Sequence, residues 1–174
     1  RTLELGSPFT VLATRNPIEF HGTYPVPEAA LDRFLVRVEV GYPDPAAELA
    51  LYSGKDPEAV LATVQPMITR ADLLALREQA EAVEVSGPVA EYAYRIVQAT
   101  REHELVQLGA SPRAALAWLR AAKGRALLHG RDYVLPDDLK TLAIPSLAHR
   151  VFLRGEATAS TLLGELLQTV EVPL

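Results

Sequence analysis

Three residues of this chain have the type and the setting to handle phosphate. Asn16 comes after the apolar run Val11 to Ala13 and precedes Pro17, Arg33 lies at the end of the segment Glu28 to Phe34, and Arg113 directly succeeds Ser111-Pro112. Phosphoryl transfer spreads negative charge over the γ-phosphate oxygens, so it asks a protein for position and positive charge more than for covalent chemistry. A carboxamide donates and accepts at once, which would let Asn16 hold a water and a phosphate oxygen without adding charge. Arg113 falls in the first turn of a helix, where N–H groups already favour anions. A cation there opposes the macrodipole unless an anion or a carboxylate compensates it. Plainer readings stand beside these: Asn16 as a turn former, Arg33 as a solvated charge or local salt bridge, Arg113 as half of an ion pair with a neighbouring Glu.

The elements that must position these residues can be read from pattern. Val11 to Ala13 has no polar alternation, as in a strand covered on both faces, and Pro17 puts Asn16 at its carboxyl end, where open parallel sheets bind ligands. Phe9 to Ala13 is therefore expected as a core strand, with further strands at Arg1 to Leu5 and at Leu35 to Val40, where Val36, Val38 and Val40 alternate with Arg37 and Glu39. Glu28 to Phe34 has good helix formers after Pro27, so Asp32-Arg33 should end a short helix.

Pro43 and Pro45 break the chain, and the remainder, from Ala46 onward, reads as helical. A helix is expected at Ala46 to Tyr52, then a connector through Gly54, Pro57 and Pro66. Thr69 with Asp72 forms a capping pattern ahead of the face Leu73, Leu76, Ala80 and Val83. Ser86 opens the stripe Val89, Tyr92, Ala93, Ile96 and Val97. Ser111-Pro112 opens an Ala-rich helix to about Leu128, ended by His129-Gly130, and Asp132 to Leu135 reads as an extended link. Pro136, with Asp137 and Asp138 in the first turn, starts a helix that Pro145 should interrupt or kink. Thr158 or Ser160 should cap a last helix carrying Leu162, Leu163, Leu166, Leu167 and Val170. His103, His129 and His149 fall near helix ends, where imidazolium meets the dipole favourably.

These stretches also resemble a family. ATRNPIEFHGTYPVPEAALDRF is similar to the stretch of MoxR-type AAA+ ATPases from the first-sensor Asn to the arginine finger. GASPRAALAWLRAAKGRAL is similar to their second-sensor helix, and DYVLPDDLKTLAIPSLAHR adds a further motif in the family's order. Arg15, Phe20 and His21 depart from positions that are more commonly polar or acidic, while the three key positions are intact. The resemblance implies that Asn16 is the first sensor, Arg33 the arginine finger and Arg113 the second-sensor Arg. It further implies ATP with Mg²⁺, a ring of copies of the chain, by family precedent a hexamer, and partners with von Willebrand factor A-type domains. A cytoplasmic setting goes with it.

Composition sets limits. In 174 residues, a hydrophobic fraction of 49% and a charged fraction of 22% describe an ordinary globular protein. No apolar run reaches the length of a membrane span. There is no Cys and the four His are scattered, so neither a disulfide framework nor a metal site of this chain alone is expected. The net charge of −5 argues against a general nucleic-acid surface. The chain begins with Arg1 and its only Met is Met67, so a start further upstream is expected.

No G-x-x-x-x-G-K-[ST] occurs, since Gly54-Lys55 is succeeded by Asp56, and no apolar strand ends in Asp-Glu. The expectation is thus a mostly α chain: a remnant of an α/β AAA+ nucleotide-binding core at residues 1–43, then an all-α AAA+ lid at residues 44–174. It should carry the trailing half of an ATPase site and not hydrolyse ATP alone. A non-enzymatic helical adaptor that binds a partner peptide or helix in a groove is the competing expectation.

Overall fold

The computed structural model describes residues 2–14, 28–54 and 56–172. Asn16 lies outside them. Among the described residues, secondary structure begins with the short helix α1 (Glu28–Leu31). α2 (Pro45–Tyr52) is capped by the Asp44 carboxylate, which accepts from the Ala46 and Ala47 N–H groups at 3.0 and 2.9 Å. α3 (Pro57–Ala62) is capped by Asp56. From sequence, α3 is expected as part of a connector, because six residues are too few to show an apolar stripe. Its start is nevertheless written in Asp56-Pro57, a cap and then a proline that needs no N–H partner.

α4 (Arg70–Ala82) opens with the expected capping box between Thr69 and Asp72. Its apolar face is only partly covered, with Leu73 and Leu76 each 37% exposed. The buried core begins at Val83. α5 (Gly87–Glu102) buries the expected stripe Val89, Tyr92, Ala93, Ile96 and Val97. β1 (Val106–Leu108), α6 (Pro112–Leu128), α7 (Pro136–Leu147), β2 (Phe152–Leu153) and α8 (Ala159–Thr169) complete the order. α6 lies against α4, α5 and α7, and α8 covers α5 and α7. Small side chains permit this: Ala114, Ala122 and Ala126 are fully buried on the face that also carries Trp118. The Trp118 indole N–H donates to the Leu139 carbonyl at 2.9 Å, which joins α6 to α7 inside the core.

Two connections differ from expectation. β1 and β2 pair antiparallel, Val106 opposite Leu153, a ribbon too short to leave a period in the sequence. Pro145 does not end α7, which runs on to Leu147. The link Asp132 to Leu135 is extended as expected, since Tyr133 forms a parallel bridge with Glu84. Gly130, at φ 69°, supplies the left-handed turn that closes α6.

The strands expected at residues 2–5, 9–13 and 35–40 are not formed. Leu12 is 93% exposed and Val40 94%. An apolar segment is a strand only when neighbours take up its backbone groups, and among the described residues none lies alongside these. The chain is mostly α, as expected.

Candidate functional site

The site is a junction between the turn after α1 and the two ends of α6 and α7. Arg150, just past α7, is its anchor. Its guanidinium is buried, and it donates to the backbone carbonyls of Asp32 (2.8 Å), Phe34 (2.6 Å) and Ser146 (3.2 Å). Its Nε lies 3.2 Å from the Asp32 carboxylate. A planar fork with five donors can serve several acceptors at once, which an ammonium on a flexible stem does less well.

His149 reinforces the junction. Its Nε2 lies 3.1 Å from the Phe34 carbonyl oxygen, which can only accept, so the proton sits on Nε2. Burial lowers the pKa of this imidazole, and the nearby Arg150 and Arg37 lower it further, against the Phe34 bond and Asp32. The imidazolium expected at a helix end is therefore a neutral, buried ring. The Arg37 N–H donates to the Pro145 carbonyl at 2.8 Å and extends the same seam.

Arg113 approaches from the other side. It is the second residue of α6, whose N-cap Ser111 accepts from the Ala114 N–H at 3.1 Å. Its Nη1 lies 3.8 Å from the second Asp32 oxygen, beyond hydrogen-bond reach, and its side chain is 69% exposed. The ion pair is thus with Asp32, across the fold, and not with a neighbouring Glu. Arg33 is exposed, and its side chain forms no hydrogen bond or ion pair among the described residues. The structure therefore brings Arg113 to the neighbour of Arg33, whereas Asn16 lies outside the described residues.

The approach to α6 is fixed by a close crossing. A Cβ on Gly109 would fall 2.8 Å from the Arg101 Cα and 2.9 Å from the Thr100 carbonyl oxygen, so only glycine lets this segment lie on α5. Thr100 Oγ1 then accepts from the Ala110 N–H at 3.0 Å, and Arg101 Nε donates to the Ala110 carbonyl at 2.9 Å. These bonds set where α6 starts and hence where Arg113 stands.

An exposed guanidinium on a capped first turn, held only loosely by a carboxylate, suits a phosphate oxygen. Among the described residues no group of three or more His, Asp and Glu could hold a metal ion. No helix among them is long and apolar enough to cross a membrane.

Residues 98–168 match the sequence profile of the AAA lid domain, and residues 1–36 match that of the ATPase family associated with various cellular activities (AAA). Chaperone MoxR1 of Mycobacterium tuberculosis is 40% identical over 99% of this chain and 49% of its own length. The chain resembles MoxR-type AAA+ ATPases along nearly its whole length. Uncharacterized protein YeaC of Bacillus subtilis is 43% identical over 99% of this chain and 56% of its own length. The crystal structure of a candidate ATPase from Cytophaga hutchinsonii superposes with a TM-score of 0.86 at 33% identity, covering 98% of this chain and 56% of that one. The chain spans about half the length of the curated relatives it matches.

Sequence reasoning singled out Arg33 and Arg113, read His149 only as an imidazolium at a helix end and gave no role to Arg150 or Asp32. The only signal was the tail of the motif ending Leu147-Ala148-His149-Arg150, where two basic residues succeed an apolar helix end. Nothing in that spacing says that they meet residues 32–34, more than a hundred positions away.

Proposed function

We propose that this chain supplies the lid and the trailing part of the nucleotide site of an ATP-hydrolysing MoxR-type machine. Residues 1–43 would belong to the nucleotide-binding core and residues 44–174 to the lid. ATP with Mg²⁺ would be cradled mainly by a P-loop and acidic strand end that this chain does not contain. Asn16 would orient the attacking water, Arg113 would meet a phosphate oxygen and Arg33 would act as arginine finger.

The observation that carries this reading is the placement of Arg113, an exposed guanidinium in the first turn of α6 beside Asp32. Arg33 is the next residue, so both cations start from one corner of the molecule. If Arg33 serves the nucleotide of an adjacent subunit, Arg113 serves the same one. Such an arrangement needs a ring, in keeping with a hexamer that remodels or assembles partner proteins, those with von Willebrand factor A-type domains first, in the cytoplasm. A helical adaptor without nucleotide chemistry leaves the match over residues 1–36 without a reason.

Mixed rings test the proposal. Arg33→Ala should lower turnover by roughly 10³-fold or more with little change in ATP affinity, since a finger supplies charge as the transition state forms. Mixing full-length Arg33→Ala subunits with subunits lacking the P-loop Lys should restore activity at interfaces where both groups are intact. Failure to recover activity in verified mixed rings would remove Arg33 as a finger.

A further inference from the structure

The two oxygens of the Asp32 carboxylate are held very differently. One faces the buried Arg150 guanidinium at 3.2 Å, and the other faces the largely exposed Arg113 at 3.8 Å. Arg150 is also tied to three carbonyls, two of them those of Asp32 and Phe34, so its side of the carboxylate is locked to the backbone that carries Arg33. The Arg113 side is open to water and screened, the setting in which an ion pair exchanges partners easily.

We propose that Asp32 is a positioning residue that parks Arg113 beside Arg33 until nucleotide arrives, and that Arg150 keeps the Asp32 charge sufficiently satisfied for Arg113 to leave it for phosphate. The proposal rests on the nucleotide role of Arg113. Without Arg150, the carboxylate would have Arg113 as its sole cation and would compete with phosphate for it. Without Asp32, Arg113 would keep its charge but lose its starting position. Arg150 stays in place during the exchange, so the junction acts as a fixed hinge pin with one releasable contact.

Turnover by the full-length protein decides it. Asp32→Asn should lower kcat about tenfold with KM for ATP changed by less than about threefold, the scale of coupling between residues in contact. The loss should vanish in an Arg113→Ala background, because a parking residue has nothing left to position. Asp32→Asn and Arg113→Ala losses that multiply independently would overturn the parking role while leaving Arg113 in the nucleotide site. An Arg113→Ala protein with unchanged turnover and nucleotide affinity would instead remove the functional reading beneath it. Hydrogen exchange of the unmodified protein gives a second measure. The Arg37 amide, bonded to Pro145, should stay protected when a non-hydrolysable ATP analogue is added, and loss of that protection would show that the Arg150 side opens too.

Discussion

Asp138 shows how a charge is kept inside this helical core. Its carboxylate is 3% exposed and takes two 2.7 Å bonds from Arg131, a 2.9 Å bond from the Leu135 N–H and an ion pair with Arg125 at 3.3 Å. Burial alone would raise its pKa, but the Arg131 and Leu135 bonds and the nearby Arg125 outweigh that and hold it below the ordinary 3.8. Asp138→Asn should destabilise the chain by about 3 kcal/mol, the low end for removing one partner of a buried pair, because Arg131 can turn to water. Denaturant midpoints would measure it. The pH response comes from two groups. Asp138, with a depressed folded pKa, stabilises fully above 3.8 and loses that contribution as pH falls through its folded value. His149 is also depressed, from 6.5, so the unfolded chain binds the proton first and stability falls as pH drops from 6.5 towards the folded pKa. The thermal midpoint should therefore begin to decline near pH 6.5. His149→Gln, which can still donate to Phe34, should delay that decline to the carboxylate range.

At the scale of elements, the start of α6 is the sensitive point. A methyl on Gly109 meets the α5 backbone, whose atoms cannot swing aside as a side-chain tip could. Gly109→Ala should cost about 1–3 kcal/mol by overpacking and displace the first turn of α6. Urea unfolding would show the loss. Ser111→Ala removes the bond to the Ala114 N–H and should cost about 1 kcal/mol. Both changes act on Arg113 through the helix that carries it. Equal stability of the wild type and Gly109→Ala would mean that the crossing is looser than its contacts indicate.

Across the whole molecule, burial is uneven. The apolar core runs from Val83 to Leu163, joined by partly buried Leu167 and Val170, while Leu3, Leu5, Val38 and Val40 are each more than 60% exposed. Opening free energy tracks buried contacts, so amides of α5, α6 and α7 should exchange only on global unfolding, and those of residues 2–14 and 38–43 much sooner. Exchange mapped by mass spectrometry checks this directly. Slow exchange at residues 9–13 matching that of α6 would contradict it. The turn at residues 32–37, pinned by Arg150, His149 and Pro145, should show intermediate protection.

The helices were legible because their signals are local. Caps at Thr69, Ser111 and Thr158, proline at helix starts and the stripe from Val89 to Val97 each act within a few residues. Sequence motifs likewise marked Arg33 and Arg113, whose settings lie in short contiguous stretches. Strands at residues 9–13 and 35–40 are not formed here because a strand's stability lies in hydrogen bonds to other strands, which apolar pattern alone cannot supply. The Asp32 junction was out of reach for a related reason. Its Arg150 is one basic residue at a helix end until folding brings it to backbone carbonyls more than a hundred residues away. Local free energies are written in sequence order, whereas the burial that neutralises His149 and makes Arg150 an anchor exists only once α7 has packed against the turn after α1.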